Sequence, residues 1–294
     1  MRWAAIFYLA LLVAAFAFSN PLGQNALRPG LLLGPSLLVL CPRPGAPRAA
    51  IAVVCVGLVY LSLLPAVRAL DEARGDPSSQ AAYHADVLRF LAAHARPGER
   101  LEVPLTVNHW ESYFLARRFP IARGWHRQLD RGANPVFYDG EPLTPARYER
   151  WLNDNAIRWI ALPDVPLDFS AKQEQQLLLA GQPYLKEVLD TGDWRIWEVL
   201  RPGPAVSGPA RITAVHPDGF DLEAERPGAV VVRQRMTPYW TVTEGAGCVS
   251  EDEGTGWTRI DIPRAGPLQV RARFSLGRAL RRLPDCSAEA GAGE

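Results

Sequence analysis

The sequence has almost no lysine and no surplus of charge of either sign. Only Lys172 and Lys186 are lysines, and 32 basic residues face 31 acidic ones for a formal net charge of +1. Binding to nucleic acid requires a basic face. Because acidic and basic residues alternate throughout the region after residue 70, we expect no nucleic acid among the partners. The abundance of arginine is therefore weak support for anion binding.

Sequence motifs of several enzyme classes are also missing. There is no glycine-rich phosphate loop, no GxSxG nucleophile elbow and no HExxH zinc motif. His109 and His126 lack the spacing of a standard zinc site, and no cysteine lies near them in the sequence. These absences argue against P-loop NTPases, α/β-hydrolases and zincins. We predict neither a metal nor another cofactor.

Long apolar runs are confined to the first part of the chain. Trp3–Phe18, Leu31–Cys41 and Ala49–Val67 contain no charged residue. A helix needs about 20 predominantly apolar residues to span hydrocarbon. The sequence therefore predicts about three transmembrane helices, although the middle run is short for a crossing unless it begins near Ala26.

Two alternatives remain for this region. Gly34 and Pro35 indicate an irregular middle helix that needs protein neighbours, and it could instead be a re-entrant segment. The first run could be a cleaved signal peptide, because small residues at Ala15 and Ala17 resemble a cleavage site. We favour the uncleaved interpretation, since cleavage would place the later domains inside the cell unless the middle run also spans.

Arginine placement predicts the orientation in the membrane. Arg2, Arg43 and Arg48 flank the apolar runs on one side, whereas the opposite loop, Ser19–Pro29, contains only Arg28. The positive-inside rule then places the N-terminus in the cytoplasm and everything after residue 68 outside it. We predict a multi-pass protein of a bacterial cell membrane with extracytoplasmic C-terminal domains and membrane lipid as a partner.

An oxidising location makes cysteine pairing possible. Cys248 and Cys286 fall in the C-terminal part and could form a disulfide. Cys41 and Cys55 lie in apolar runs, where cysteine acts as a small hydrophobic residue.

The predicted fold class is a membrane α-helical segment followed by α+β structure, with a small α/β domain and a C-terminal β-sandwich. The expected boundaries are 1–70 for the membrane section, 71–205 for the extracytoplasmic α/β domain, 206–286 for the extracytoplasmic β-sandwich and 287–294 for a disordered tail.

Helix and strand signals alternate in the α/β region. Helices are predicted from Ser79, acting as the cap, to about Ala95, and from Thr144, with Pro145 in the favoured first position. A third helix, running to about residue 180, is predicted from a capping box of Ser170 and Gln173. Strands are predicted over 100–105, 157–162, 185–190 and 194–200.

Beyond Pro202 the sequence consists of short β-rich runs separated by turns. A turn at residues 216–219 divides the first two runs. About six or seven strands without an intervening helix favour a β-sandwich that begins near Gly208. The strands are predicted over 211–215, 220–225, 229–235, 239–243, 257–262 and 268–274.

The densest group of polar and aromatic residues lies between the first strand and the second helix. Here two tryptophans could stack on a sugar ring, two arginines could hold a phosphate, and an acidic residue or a histidine could transfer a proton. Alternatively, the tryptophans are core aromatics and the arginines pair with acidic residues to fix the loop. The candidate substrate-binding residues are Asn108, His109, Trp110, Glu111, Arg123, Trp125, Arg127 and Asp130.

Arg28 is a further candidate. It lies beside Asn25 at the outer end of the first two apolar runs, where a guanidinium could meet a lipid-linked phosphate at headgroup depth. An ordinary interfacial arginine is the alternative.

Four segments carry a resemblance to a known family: residues 25–32 (NALRPGLL), 157–163 (IRWIALP), 194–199 (WRIWEV) and 235–240 (RMTPYW). Together they resemble the C-terminal end of bacterial polytopic GT-C type glycosyltransferases and their uncharacterised actinobacterial relatives. The resemblance implies sugar transfer from a polyprenyl-phosphate donor to a cell-envelope acceptor. In that superfamily the catalytic acid lies in an early outer loop. The loop Ser19–Pro29 has no Asp or Glu, so no catalytic residue can be carried over.

Two functional hypotheses follow. The first is the extracytoplasmic C-terminal part of such a glycosyltransferase, which positions donor or acceptor in envelope glycan assembly while a missing N-terminal membrane portion supplies the chemistry. The second is a non-enzymatic membrane protein that binds envelope glycan or protein. A transporter is disfavoured, because the predicted spans carry no charged residue.

Overall fold

The structure is a computed structural model that describes residues 2–18, 23–40, 45 and 47–280. The chain divides into two compact units, Met1–Ser79 and Gln80–Glu294. Helices come first and an α+β region follows, as the sequence predicts. The boundary lies beyond residue 70 because the third helix continues past the apolar run, through charged residues, to Gly75.

The first unit consists of three helices that coincide with the apolar runs. They are α1 (Arg2–Ala17), α2 (Arg28–Leu40) and α3 (Arg48–Gly75), with a 3-10 turn at Gly23–Leu27 before α2. α3 has 28 residues, or about 42 Å at the usual rise per residue. Among the described helices it alone is long and apolar enough to cross a membrane. Membrane crossing by α1 and α2, with 16 and 13 residues, stays a prediction.

The irregular second helix packs against the third. A side chain at Gly34 would lie 3.1 Å from the Leu58 side chain, so the absence of one permits close approach. The Ser62 hydroxyl donates a hydrogen bond to the Leu31 carbonyl oxygen at 3.1 Å. α2 therefore has the protein neighbour that its glycines and proline require.

The second unit begins with a four-stranded sheet covered on both faces. Its strand order is β1-β2-β4-β3, in which β1 and β2 are parallel and the other pairs are antiparallel. The strands are β1 (Arg100–Glu102), β2 (Ile157–Pro163), β3 (Leu185–Asp190) and β4 (Trp194–Val199), and the helices are α4 (Ala85–His94), α5 (Glu111–Phe114), α6 (Arg127–Ala133), α7 (Pro145–Asp154) and α8 (Lys172–Leu179).

Alternation along β2 explains why two cores form. Trp159 and Ala161 belong to one hydrophobic cluster, together with Val87 of α4. Ile160 belongs to the other, together with Leu152 of α7. Successive side chains of a strand point to opposite faces, so a strand with little polar content is buried on both.

The helix start predicted at Thr144 is confirmed. Its hydroxyl oxygen accepts a hydrogen bond from the Arg147 amide at 3.3 Å, and Pro145 occupies the first turn. The predicted face of Tyr148, Trp151 and Leu152 is buried.

Two predicted caps are wrong. The Ser79 hydroxyl donates to the Asp76 carbonyl at 2.8 Å, and 3-10 turns separate this residue from α4. Asp168 caps the 3-10 turn Phe169–Ala171 that precedes α8, because its carboxylate accepts from the Ser170 amide at 3.0 Å, and α8 itself has no side-chain cap. Gln173 accepts instead from the Leu143 amide at 2.7 Å. Short polar side chains make such local bonds in several geometries, and sequence spacing does not distinguish them.

The rest of the second unit contains two antiparallel four-stranded sheets, ordered β10-β11-β8-β5 and β6-β7-β12-β9. Both contribute to one hydrophobic cluster, with Val230 and Ile260 from the first sheet and Phe220 and Val270 from the second. The elements are β5 (Val206–Ser207), β6 (Ala210–His216), β7 (Gly219–Ala224), β8 (Gly228–Arg235), β9 (Trp240–Glu244), β10 (Cys248–Glu251), β11 (Trp257–Ile262), β12 (Gly266–Ala272) and a short helix α9 (Leu276–Leu280).

The six predicted strands of this region are present within a few residues. The predicted turn joins β6 and β7, where His216 pairs with Gly219. A side chain at Gly219 would lie 2.0 Å from the Val270 carbonyl oxygen, so glycine is required there. The short strands β5 and β10 were not predicted. Cys41, Cys286 and the tail 287–294 lie outside the described residues, so the disulfide between Cys248 and Cys286 stays a prediction.

Candidate functional site

The eight candidate residues between positions 108 and 130 lie on the long connection that follows β1. Thr106 and Leu167 form a β-bridge, and the Asp168 amide donates to the Leu105 carbonyl at 2.8 Å. The loop after β1 and the loop after β2 are therefore neighbours. In sheets with parallel strands, binding sites form preferentially at the carboxyl ends of those strands.

Backbone pairing places Arg123 in the interior of this region. Residues 120–122 run alongside β1, with hydrogen bonds from the Leu101 amide to the Pro120 carbonyl and from the Ala122 amide to the Leu101 carbonyl. The next residue, Arg123, consequently reaches the neighbourhood of Glu102, and its side chain is fully shielded from solvent.

Three carboxylates surround the Arg123 guanidinium. Its nitrogens lie 3.0 Å from Asp130, 3.4 Å from Glu174 and 3.9 Å from Glu102. The guanidinium also lies 3.8 Å from the centre of the Phe137 ring. We call these four charged residues the Arg123 cluster. Each member is buried, so the cluster is an interior polar centre.

Burial determines the protonation of the Arg123 cluster. Desolvation, followed by repulsion from Glu174, raises the pKa of Glu102 well above its usual range. Burial also raises the pKa of Glu174 to about 7, against the attraction of Arg123. Although burial alone would lower it, the surrounding carboxylates raise the pKa of Arg123. Protonation of Glu102 reduces the excess of negative charge around one cation.

The Arg123 cluster also anchors α6 to the core. The Asn134 amide donates to Asp130 at 2.9 Å, and the Trp151 indole donates to Asn134 at 3.0 Å. The Tyr138 hydroxyl donates to the same carboxylate. Arg123 and Asp130 are therefore paired with each other in the interior, as the alternative interpretation of the sequence expected, and neither is exposed.

Arg127 is also paired within the chain. Its guanidinium donates two hydrogen bonds to Asp168, at 3.0 and 2.8 Å, and lies 4.6 Å from the centre of the Phe169 ring. Although burial raises it, the bonds from Arg127 and Ser170 lower the pKa of Asp168 below its usual range. The two guanidinium donors that would bind a phosphate are thus already bonded to a carboxylate.

A second polar network orients His109. The Thr106 hydroxyl donates to buried Glu111 at 2.7 Å, and Nδ1 of His109 lies 3.3 Å from the same carboxylate. His109 has a φ of 57°, a left-handed conformation that is uncommon outside glycine. Its side chain is 19% exposed, which leaves the imidazole at the surface. We call this the His109–Glu111 pair.

The remaining candidates have different surroundings. Trp110 is half-buried against Tyr113 and Phe114, and Asn108 is half-buried beside His109. Trp125 is 55% exposed and stacks on the neighbouring His126 ring at 4.3 Å, so the expectation of a core aromatic is wrong for this residue.

Arg28 belongs to the first unit. It is the first residue of α2, and its side chain is exposed. Its predicted contact with a lipid-linked phosphate stays a prediction.

Two adjacent arginines that no sequence motif indicated line surface grooves of the second unit. Arg117 and Arg118 line a groove of about 790 Å³ beside α4 and also line a groove of about 230 Å³ that reaches the β6–β7 turn. Two consecutive arginines without a nearby acidic residue in the sequence are the signal that could have identified them.

Neither a search for metal sites nor comparison with known proteins identifies a function. Across the residues that the structure describes, no three His, Cys, Asp or Glu side chains are grouped so as to hold a metal ion. No protein family model, no curated protein and no solved structure matches this chain.

Proposed function

We propose that the chain is a membrane-anchored binding protein that positions a glycan or a lipid-linked sugar during assembly of the bacterial cell envelope, without catalysing the transfer itself. The observation that carries this proposal is that the charged candidate residues in the connection after β1 are already paired within the chain. Arg123 and Asp130 are buried in the Arg123 cluster, and the Arg127 guanidinium is paired with Asp168.

Membrane anchoring is supported by α3. The side chains in its apolar part are not buried, and its mean hydropathy over a membrane-length window is 2.5. Exposed apolar surface of this extent is unfavourable in water and favourable in hydrocarbon. We propose that α3 spans the membrane, that α1 and α2 lie with it in a multi-pass arrangement, and that the second unit is extracytoplasmic.

The second unit supplies the binding surface in this proposal. We propose that its two antiparallel sheets form a β-sandwich around the hydrophobic cluster they share. The resemblance to GT-C type glycosyltransferases supports the assignment to glycan assembly. A catalytic carboxylate of that kind would come from a membrane region other than Ser19–Pro29.

The proposal is tested on the full chain purified in detergent. We would incubate it with envelope glycan fragments and a polyprenyl-phosphate-linked sugar, and measure both binding and sugar transfer. We expect binding of at least one of these ligands and no transfer. Absence of binding to both would contradict the proposal.

A catalytic function is the second candidate, favoured by the His109–Glu111 pair. A buried carboxylate 3.3 Å from Nδ1 fixes the orientation of the imidazole, as a general base requires. Non-glycine residues with positive φ are costly and cluster at functional sites. In this reading His109 would take a proton from a sugar-acceptor hydroxyl.

The two candidates differ in one measurable respect. If the wild-type chain transfers sugar and His109→Gln abolishes transfer while retaining ligand affinity, the catalytic candidate replaces the binding one. His94→Gln is the matched control, because His94 is exposed and lies on α4. Transfer that is unchanged in His109→Gln would exclude His109 as the base.

A further inference from the structure

We infer that Arg117 and Arg118 form the anion-binding element of a saccharide site, and that its ligand is a glycan segment bearing carboxylate or phosphate groups. The inference rests on the proposed function and names the ligand class for it. The four residues 115–118 belong to a turn that follows α5, and none of the candidate residues predicted from the sequence lies on it.

The turn that carries Arg117 and Arg118 is exposed, and both of its ends are anchored to the fold. Leu115 is fully buried, and the Phe119 amide donates to the Leu115 carbonyl at 3.0 Å. Ile121 then pairs with Leu101 of β1. The intervening residues, Arg117 and Arg118 among them, are held outward by these attachments.

The His109–Glu111 pair strengthens this anchoring. Glu111 is the first residue of α5, and its carbonyl accepts from the Leu115 amide at 3.0 Å. Its buried carboxylate is bonded to Thr106. The turn is therefore rigidly attached to the loop after β1, and a pre-organised cation pair binds at a lower entropic cost than a mobile one.

Within the described residues, no neighbouring side chain neutralises either guanidinium. In the part of the chain that the structure describes, no carboxylate lies within ion-pair distance of Arg117 or Arg118, and the grooves that they line contain no acidic residue. Many other arginines of this unit, such as Arg123, Arg127 and Arg158, do have carboxylate partners. Two adjacent guanidiniums without such partners favour an anionic ligand from solution.

Aromatic rings in both grooves favour a saccharide over a simple anion. Tyr113 is 52% exposed, lines the larger groove and lies 5.1 Å from the Arg117 guanidinium carbon. Trp240 lines the smaller groove. An aromatic face packs well on the apolar face of a sugar ring, while the guanidiniums bind its charged substituents. The volume of the larger groove, 790 Å³, falls in the range of ligand sites.

The test uses the full chain in detergent micelles and a fluorescent oligogalacturonate, which carries one carboxylate on each ring. Its affinity is measured by anisotropy. The methyl-esterified oligomer is the matched ligand, since it has the same rings without the charges. Poly-glutamate of equal charge is the competitor without sugar rings.

Arg117→Gln/Arg118→Gln is the decisive variant, and Arg211→Gln/Arg226→Gln is its control. The control removes the same charge from two exposed arginines that line neither groove. We expect the first variant to bind oligogalacturonate about ten- to hundredfold more weakly, since each charge-assisted contact is worth about tenfold or more. The control should bind like the wild type. Tyr113→Ala should weaken binding and Tyr113→Phe should restore it.

Each contrary outcome has a separate meaning. If saccharide binds equally well to both double variants, the site is elsewhere and the inference fails while the binding function stands. If poly-glutamate competes as well as oligogalacturonate, the surface binds any polyanion and the saccharide assignment is wrong. If neither charged nor esterified oligomer binds, the inference fails, whereas the proposed function fails only if envelope glycan and the lipid-linked sugar also do not bind.

Discussion

Arg123 and the pair Arg117–Arg118 are close in sequence and have opposite surroundings. Arg123 lies among three buried carboxylates, whereas the pair lies on an exposed turn where, among the residues that the structure describes, no carboxylate is within ion-pair distance. The two settings differ in whether the guanidinium is already paired inside the fold, and only an unpaired guanidinium is available to a ligand. In a chain with so many arginines, pairing is more informative than abundance.

The largest effect is expected for Arg123→Met. It leaves three carboxylates in the interior without their cation, and breaking a buried ion pair on one side costs about 3–5 kcal/mol. We expect the thermal midpoint to fall by about 10 °C or more. Tryptophan fluorescence of the full chain measures it, because all tryptophans except Trp3 lie after residue 79. An unchanged midpoint would show that the Arg123 cluster is not the anchor described above.

The second prediction concerns the pH dependence of the same cluster. Folding raises the pKa of Glu174 from its ordinary value of 4.5 to about 7 through burial, so the folded state keeps a proton that the unfolded state releases. This stabilisation is complete below pH 4.5 and is lost as the pH rises through 7. We expect the free energy of unfolding to fall by up to ~1 kcal/mol per pH unit in this window.

Glu174→Gln is the matched variant for the pH prediction. It keeps the shape of the side chain and removes its titration, so the slope between pH 4.5 and 7 should become flatter. Chemical unfolding followed over this range measures the slope. The same slope in wild type and variant would exclude Glu174 as its source.

The sequence predicted the elements of the second unit better than it predicted their polar contacts. The apolar run over 157–162 and the proline start of α7 were sufficient, because an apolar sequence pattern reflects burial. The strand predicted over 100–105 is limited to three residues, since the chain beyond Glu102 turns toward Leu167. Such a turn depends on a partner distant in sequence.

Arg127→Gln is expected to have a smaller effect than Arg123→Met. The ion pair with Asp168 is bidentate but partly exposed, and such pairs contribute about 1 kcal/mol or less. The pKa of Asp168 lies below its usual 3.8, so this stabilisation is present above that pH and is lost on acidification. We expect a modest drop in thermal midpoint at neutral pH and a smaller difference from wild type in acid. An equal difference at both pH values would contradict the pairing.

The sequence indicated where charged residues concentrate, but not which of them are paired inside the fold. The eight loop residues lie on the long connection after β1, yet the arginines chosen as phosphate ligands are the ones that the fold neutralises. Asp168 and Glu174, which pair with them, lie more than forty positions later in the chain. Local sequence therefore predicted where charge is concentrated, and only tertiary structure shows which charges are free to bind.

The smallest effect on stability is expected for Arg117→Gln/Arg118→Gln. Exposed substitutions away from caps and ion pairs usually change the free energy of unfolding by less than about 0.5 kcal/mol, so the thermal midpoint should match that of Arg211→Gln/Arg226→Gln. Binding of an anionic saccharide should nevertheless weaken, and more strongly at low salt, where exposed charges are least screened. Arg123→Met should show the opposite pattern. Its stability should be low, but at temperatures where it remains folded its affinity for the saccharide should equal that of the wild type. If both sets of variants lost stability and affinity together, the distinction between a structural and a binding arginine would be wrong.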